Sequence, residues 1–218
     1  MEELDKFKLF LQQIANDQDG FEGDFDSGLG AFLSHLIEQI TQLEWRSTGA
    51  FDGSRVKRNL VRLAGIRANI KRFLNQSYIF KTLSKALGWV NGYGDQIDEY
   101  FLRVSAKSVA DRTLLNQIVA STKVGLENQL LRAGIDAYLV NPVMAKLQSG
   151  IGGDFSRTKM IAEVKQMLAP GNRLNRWAKQ TVSDALNGFV ANYQQTQAKQ
   201  LGMSHYLYDG VTVKDSRA

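Results

Sequence analysis

Residues 172–201 read NRLNRWAKQTVSDALNGFVANYQQTQAKQL and hold the longest periodic pattern in the sequence. Apolar side chains recur there every three or four residues, which aligns them on one face of an α-helix. The residues of this stripe are Leu174, Trp177, Ala178, Val182, Ala185, Leu186, Phe189, Val190 and Tyr193. The pattern predicts one long helix over residues 172–201, with its apolar face packed against other parts of the protein.

The sequence before this stretch shows the same helical periodicity and little that would interrupt it. Only two of the 218 residues of the whole chain are proline, and so few helix breakers favour long helices over a turn-rich β fold. Hydrophobic residues make up 44% of the chain, which is enough for a buried core. We predict further helices over residues 4–14, 31–45, 55–76, 78–90, 95–105, 109–133, 135–149 and 156–168.

The pattern changes after Gly202, where a glycine is expected to end the long helix. Tyr206, Leu207 and Tyr208 precede Gly210, and Val211 and Val213 follow it. This arrangement predicts a short β-hairpin over residues 204–213. The predicted fold class is therefore mainly α: an elongated assembly of several helices, with one long C-terminal helix followed by a short hairpin.

Residues 16–30 interrupt the helical pattern, because five acidic residues alternate there with four glycines. We predict an acidic, flexible loop. A calcium-binding loop of the EF-hand type needs glycine at its sixth position and glutamate at its twelfth. Counting from Asp17 or from Asp24 meets neither requirement. The loop is expected to be solvated, with docking on a basic partner as the alternative.

A second group of glycines, Gly150, Gly152 and Gly153, suggests where the chain divides. We predict an N-terminal helical region over residues 1–148, which contains the acidic loop and a basic helix at 55–76. A glycine-rich linker at 149–154 would join it to a C-terminal region over residues 155–218. That second region would hold one helix, the long helix and the hairpin.

The residue types that carry most enzyme chemistry are scarce in this sequence. It has no cysteine, which excludes disulfides, thiolate metal sites and cysteine nucleophiles. Its two histidines, His35 and His205, lie far apart and have no partner at metal-binding spacing. We expect no catalytic residues, no cofactor, no metal site and no enzyme activity. No apolar run approaches 18 residues, so we also expect no membrane span.

The helix predicted at 55–76 carries seven basic residues with no acidic residue among them, in a chain of net charge +5. They are Arg55, Lys57, Arg58, Arg62, Arg67, Lys71 and Arg72. Val56, Leu60, Leu63 and Ile70 would face inward, which leaves most of the charges exposed. Like charges repel along a helix, so a counter-charge is expected. The acidic loop, DNA phosphate and an acidic partner surface are the three candidates.

The last third of the chain, about residues 141–218, resembles the Mu-type minor head proteins of tailed bacteriophages, also called head-morphogenesis proteins. The resemblance begins at Asn141-Pro142-Val143 and Phe155-Ser156-Arg157. It continues along the long helix at Trp177, Thr181, Asp184, Ala185, Phe189, Ala198 and Gly202. It ends in Tyr206-Leu207-Tyr208-Asp209-Gly210 and Lys214-Asp215-Ser216-Arg217.

This resemblance implies a structural virion protein, assembled in the host cytoplasm and located at the portal or inside the capsid, where it serves head assembly or DNA packaging and ejection. The implied partners are the phage portal protein, the major capsid protein and packaged double-stranded DNA, with several copies per virion. Large aromatic residues often anchor interfaces, so we predict partner docking by Trp177, Phe189, Tyr193, Tyr206 and Tyr208. The alternative function is sequence-independent DNA binding by the basic helix. A second alternative leaves these aromatics to close the protein's own core.

Overall fold

The structure, a computed structural model, describes residues 2–46, 52–105, 111–169, 171 and 173–203. It confirms that the protein is mainly helical, and these residues contain no β-sheet. The predicted hairpin at 204–213 lies outside them. None of their helices is both long and apolar enough to cross a membrane.

The helices follow one another with short connections. They are α1 (Glu2–Thr41), α2 (Gly53–Gln76), α3 (Tyr78–Ser105), α4 (Arg112–Leu126), α5 (Ala133–Ile135), α6 (Asn141–Gly152), α7 (Arg157–Met167) and α8 (Arg173–Gln200). Two π-helical segments, Glu127–Arg132 and Asp136–Val140, connect α4 to α5 and α5 to α6. The long helix predicted from the opening stretch is α8, and the basic helix is α2.

The predicted acidic loop at 16–30 is wrong, because α1 runs through it without a break. Phe21, Phe25 and Leu29 are buried, and they continue an apolar stripe at helical spacing through the glycines. Two of the acidic side chains accept hydrogen bonds from tyrosine hydroxyls. Asp17 accepts one from the Tyr93 hydroxyl at 2.8 Å, and Asp24 accepts one from the Tyr78 hydroxyl at 3.0 Å.

Two glycines of α1 should respond in opposite ways to alanine. At Gly20 an added Cβ would meet no atom within 4 Å, whereas at Gly28 it would lie 2.7 Å from Ile79 Cγ1 and 3.0 Å from the Ile79 backbone nitrogen. We expect Gly20→Ala to stabilise the protein by about 0.5–1 kcal/mol, since alanine is the better helix former. Gly28→Ala should destabilise it by about 1–3 kcal/mol, since α1 and the start of α3 would be pushed apart. Urea unfolding of the two variants measures both effects, and a gain in stability from Gly28→Ala would contradict the close packing.

A second predicted break is also absent, and a third is shorter than predicted. The separate helices predicted at 78–90 and 95–105 are one helix, α3, in which Val90, Tyr93 and Ile97 are buried at helical spacing. The predicted linker at 149–154 consists of the end of α6 and a turn at Gly153 and Asp154. A glycine does not end a helix whose apolar stripe continues on both sides, because packing outweighs the loss of about 1 kcal/mol in helix propensity.

The chain divides into two compact units that interleave along the sequence, so they do not follow the predicted regions 1–148 and 155–218. The first unit comprises the described residues of segments 1–21, 85–127 and 179–218, and the second comprises those of 22–84 and 128–178. Phe7, Phe101 and Phe189 are buried in the first unit. Phe32 and Ile70 are buried in the second.

Candidate binding surface

The basic residues of α2 lie around its buried stripe: Lys57, Arg58 and Arg72 lie opposite the stripe, and Arg55 lies beside it and is largely buried. Leu63, Ile66, Ile70 and Leu74 are buried in the second unit, and Asp52 caps the helix by accepting hydrogen bonds from the backbone N–H groups of Ser54 and Arg55. Leu60 was predicted to face inward, but it is 41% exposed. The predicted helix at 55–76 is confirmed, and its outer face is both basic and partly apolar.

Three arginines of α2 are paired with carboxylates of the second unit. Arg55 lies 2.5 Å from Asp154, and both side chains are largely buried. Arg58 Nη2 and Arg62 Nη2 lie 2.6 Å and 3.1 Å from the two oxygens of Glu44. The hydrogen bond from Arg58 holds the pKa of Glu44 below its usual range, so this carboxylate stays charged.

The remaining cations of α2 differ in whether a carboxylate faces them. Lys71 Nζ lies 2.7 Å from Asp136, whereas Arg67 donates to the neutral amide oxygen of Asn141 at 2.6 Å. Lys57 and Arg72 are exposed and form no ion pair with any residue that the structure describes. In the described part of the chain, four of the seven cations of α2 form ion pairs with three carboxylates, and Asp52 at the start of the helix adds one more negative charge, so the helix keeps an excess of positive charge.

The counter-charges come from inside the protein, but not from residues 16–30. Glu44, Asp136 and Asp154 supply them. Asp154 also lies 3.9 Å from Arg46, which adds a further cation to the same surface. The sequence could place the charges on one helix face, but the partners are brought there by tertiary packing.

An apolar patch interrupts the cations on α2. Val61 is 75% exposed, and a groove of about 400 Å³ runs beside it along Leu43, Arg62, Gly65 and Ile66. A second depression, of about 460 Å³, lies on the other side of Val61 and Arg62 and is lined by Ser54, Lys57 and Arg58. We call Val61 and these two depressions the Val61 groove. Its lining combines aliphatic carbon with guanidinium and ammonium groups.

The predicted docking aromatics do not form one exposed surface. Phe189 and Tyr193 are buried in the first unit, where they form part of its core. Trp177 is half-buried in the second unit and stacks on Tyr138 with ring centroids 4.6 Å apart. Tyr206 and Tyr208 lie outside the described residues.

Sequence reasoning missed a buried polar cluster in the first unit. Asp98 is 6% exposed, accepts a hydrogen bond from the Tyr193 hydroxyl at 2.9 Å and another from the Gln197 amide, and lies 2.9 Å from Arg112 Nη1. Burial raises the pKa of Asp98, although these partners oppose the rise. Burial and then Asp98 itself raise the pKa of Tyr193, so its hydroxyl remains a donor. The one signal of this cluster in the sequence is that polar residues, Gln194 and Gln197, continue the buried face of α8 after Tyr193.

No group of three or more histidine, aspartate or glutamate side chains in the described part of the chain is arranged to hold a metal ion. His35 lies in the second unit and stacks on Phe73 with centroids 4.2 Å apart, while His205 lies outside the described residues. The chain matches no protein-family model, no curated protein and no solved structure.

Proposed function

We propose that this chain is a structural protein that works by binding a macromolecular partner through the basic face of α2 rather than by catalysis. The observation that carries the proposal is the excess positive charge of α2, on which Lys57 and Arg72 are exposed. Uncompensated cations on one exposed surface repel one another, and an anionic partner that binds there relieves this repulsion.

The sequence resemblance over residues 141–218 supports a more specific proposal. We propose a minor head protein of a tailed bacteriophage, bound to the portal protein or the capsid interior in the virion, in several copies. This step rests on the motif residues quoted above. Because Phe189 and Tyr193 are buried in the first unit, we propose the exposed basic side of α2 as the docking surface.

A pull-down of the tagged protein from nuclease-treated lysate of infected cells tests this function. We expect a portal protein to be recovered at constant stoichiometry. The double variant Lys57→Gln, Arg72→Gln should reduce the recovery about tenfold, since each exposed cation facing an anionic surface contributes up to about 1 kcal/mol. The control Lys165→Gln, Arg176→Gln removes the same charge from α7 and α8, where both side chains are also exposed, and should change nothing. Equal losses in both double variants would contradict a specific role for α2.

Double-stranded DNA is the second candidate partner, and the same exposed cations favour it. If α2 binds phosphate, the logarithm of the binding constant for a random-sequence duplex should fall linearly with the logarithm of salt concentration, with a slope near −0.9 per phosphate contact. The Lys57→Gln, Arg72→Gln variant would lose two phosphate contacts, so its slope should be shallower by about 0.9 for each of them. Fluorescence anisotropy over a salt series measures this, and the absence of binding at low salt would exclude DNA.

A further inference from the structure

The Val61 groove has a chemistry that phosphate binding alone does not need. Val61 is the most exposed large hydrophobic residue of the described chain, at 75%. Aliphatic surface gains little from a sugar–phosphate backbone but gains from contact with an apolar side chain. The groove therefore favours a protein segment over a nucleic acid.

The surroundings of the groove define the charge of that segment. Lys57, Arg58 and Arg62 line its rim, and the two arginines share the single carboxylate of Glu44. A neutral or basic segment would meet uncompensated cations, whereas an acidic one would pair with them.

Gly65 accounts for the open space of the groove. It lies one helical turn after Val61, and an added Cβ there would meet no atom within 4 Å. A helix normally covers such a position with a side chain, so the glycine leaves a gap beside Val61. The gap is suited to one apolar side chain inserted from a helix that packs across α2.

We infer that the Val61 groove binds an acidic amphipathic helix of a partner protein, which seats an apolar side chain beside Val61 and Gly65 and pairs its carboxylates with Lys57, Arg58 and Arg62. The inference rests on the proposed function, because it names the chemistry of the partner that the basic face of α2 would bind.

Two synthetic peptides test the groove directly. Both are acidic helices of about 20 residues with the same number of glutamates; one carries leucine on a single face and the other carries alanine there. We expect the full-length protein to bind the leucine peptide about tenfold more tightly than the alanine peptide, and to bind a duplex DNA of similar charge less tightly than the leucine peptide. Equal binding of the two peptides, or tighter binding of the duplex, would overturn the inference.

Two variants locate the effect, and neither touches the core. Val61→Ala and Gly65→Gln should each weaken binding of the leucine peptide about tenfold and remove its advantage over the alanine peptide, because one removes the apolar contact and the other fills the gap. Val124→Ala changes an exposed valine of α4 and should have no effect. If Val61→Ala still binds the leucine peptide more tightly than the alanine peptide by the same factor, the apolar side chain of the partner does not bind beside Val61.

Failure of the inference can be told apart from failure of the proposed function. If Lys57→Gln, Arg72→Gln loses the portal protein in the pull-down while Val61→Ala keeps it, the basic face binds the partner and the groove does not. If the recovery of the portal protein is unchanged in Lys57→Gln, Arg72→Gln and also in Val61→Ala, both the proposed function of α2 and the inference about the groove are wrong.

Discussion

Replacing Phe25 with alanine is expected to lower the free energy of unfolding by about 3–5 kcal/mol, the usual cost of truncating a buried phenylalanine. Phe25 is 1% exposed and lies in the middle of α1, inside the stretch whose acidic and glycine residues suggest a loop. In a solvated loop the same substitution would cost almost nothing. Urea unfolding followed by circular dichroism therefore decides between a continuous helix and a loop in one experiment.

Asp19→Ala is the matched control for this measurement. Asp19 lies on the exposed face of the same helix, so its removal should change the unfolding free energy by no more than about 0.5 kcal/mol. A small effect of both substitutions would mean that residues 16–30 do not pack as α1. A large effect of both would indicate that the acidic face of α1 is also structural.

The helical content of this protein could be predicted from the sequence because helical periodicity is a local property. The opening stretch predicts α8 within one residue at each end, and the basic helix is correct within two. The positions at which helices end, and the contacts between helices, could not be predicted in the same way. Gly28 looks like a loop residue in the sequence, but its function in the fold is close contact with Ile79, which is far away along the chain.

The candidate surface shows the same division between local and tertiary information. Seven basic residues on one helix predict a charged face, and α2 has one. Their neutralisation by Glu44, Asp136 and Asp154 depends on which segments pack beside α2, so no local pattern could identify these partners. Helical spacing places Val61 opposite the buried stripe, but it cannot show whether another helix covers that side of α2, so the exposure of Val61 also depends on tertiary packing.

For a related reason, the sequence does not distinguish a docking role for Phe189 and Tyr193 from a place in the protein's own core, where both are buried. Interfaces and cores favour the same large residues, so Phe189 and Tyr193 could not be assigned to either from their type alone. Tyr193 is held in the first unit by its hydrogen bond to Asp98. The polar end of α8 is therefore structural, and its stability can be tested through Asp98.

Asp98→Ala should lower the free energy of unfolding by about 2–4 kcal/mol, because the Tyr193 hydroxyl and the Gln197 amide would each lose a buried acceptor. Asp98→Asn is the control, since both donors bind the same oxygen, Oδ1, and an asparagine retains it. We expect Asp98→Asn to stay within about 1 kcal/mol of the wild-type protein. Arg112 adds little to the difference because its side chain is 63% exposed and can be rehydrated.

The pH dependence of the unfolding free energy, measured for the wild-type protein and for Asp98→Asn, separates the effect of the Asp98 charge from the effect of its hydrogen bonds. Burial raises the pKa of Asp98 above its ordinary value of 3.8, so between that value and the raised pKa the folded state binds more protons than the unfolded state. The contribution of Asp98 to stability is then greatest below pH 3.8 and is lost as the pH rises through the raised pKa. Asp98→Asn has no such titration, so its stability relative to the wild-type protein should increase from about pH 4 to pH 7. A decrease over that range would mean that the hydrogen bonds and Arg112 outweigh burial, and that the carboxylate of Asp98 is stabilised in its charged form.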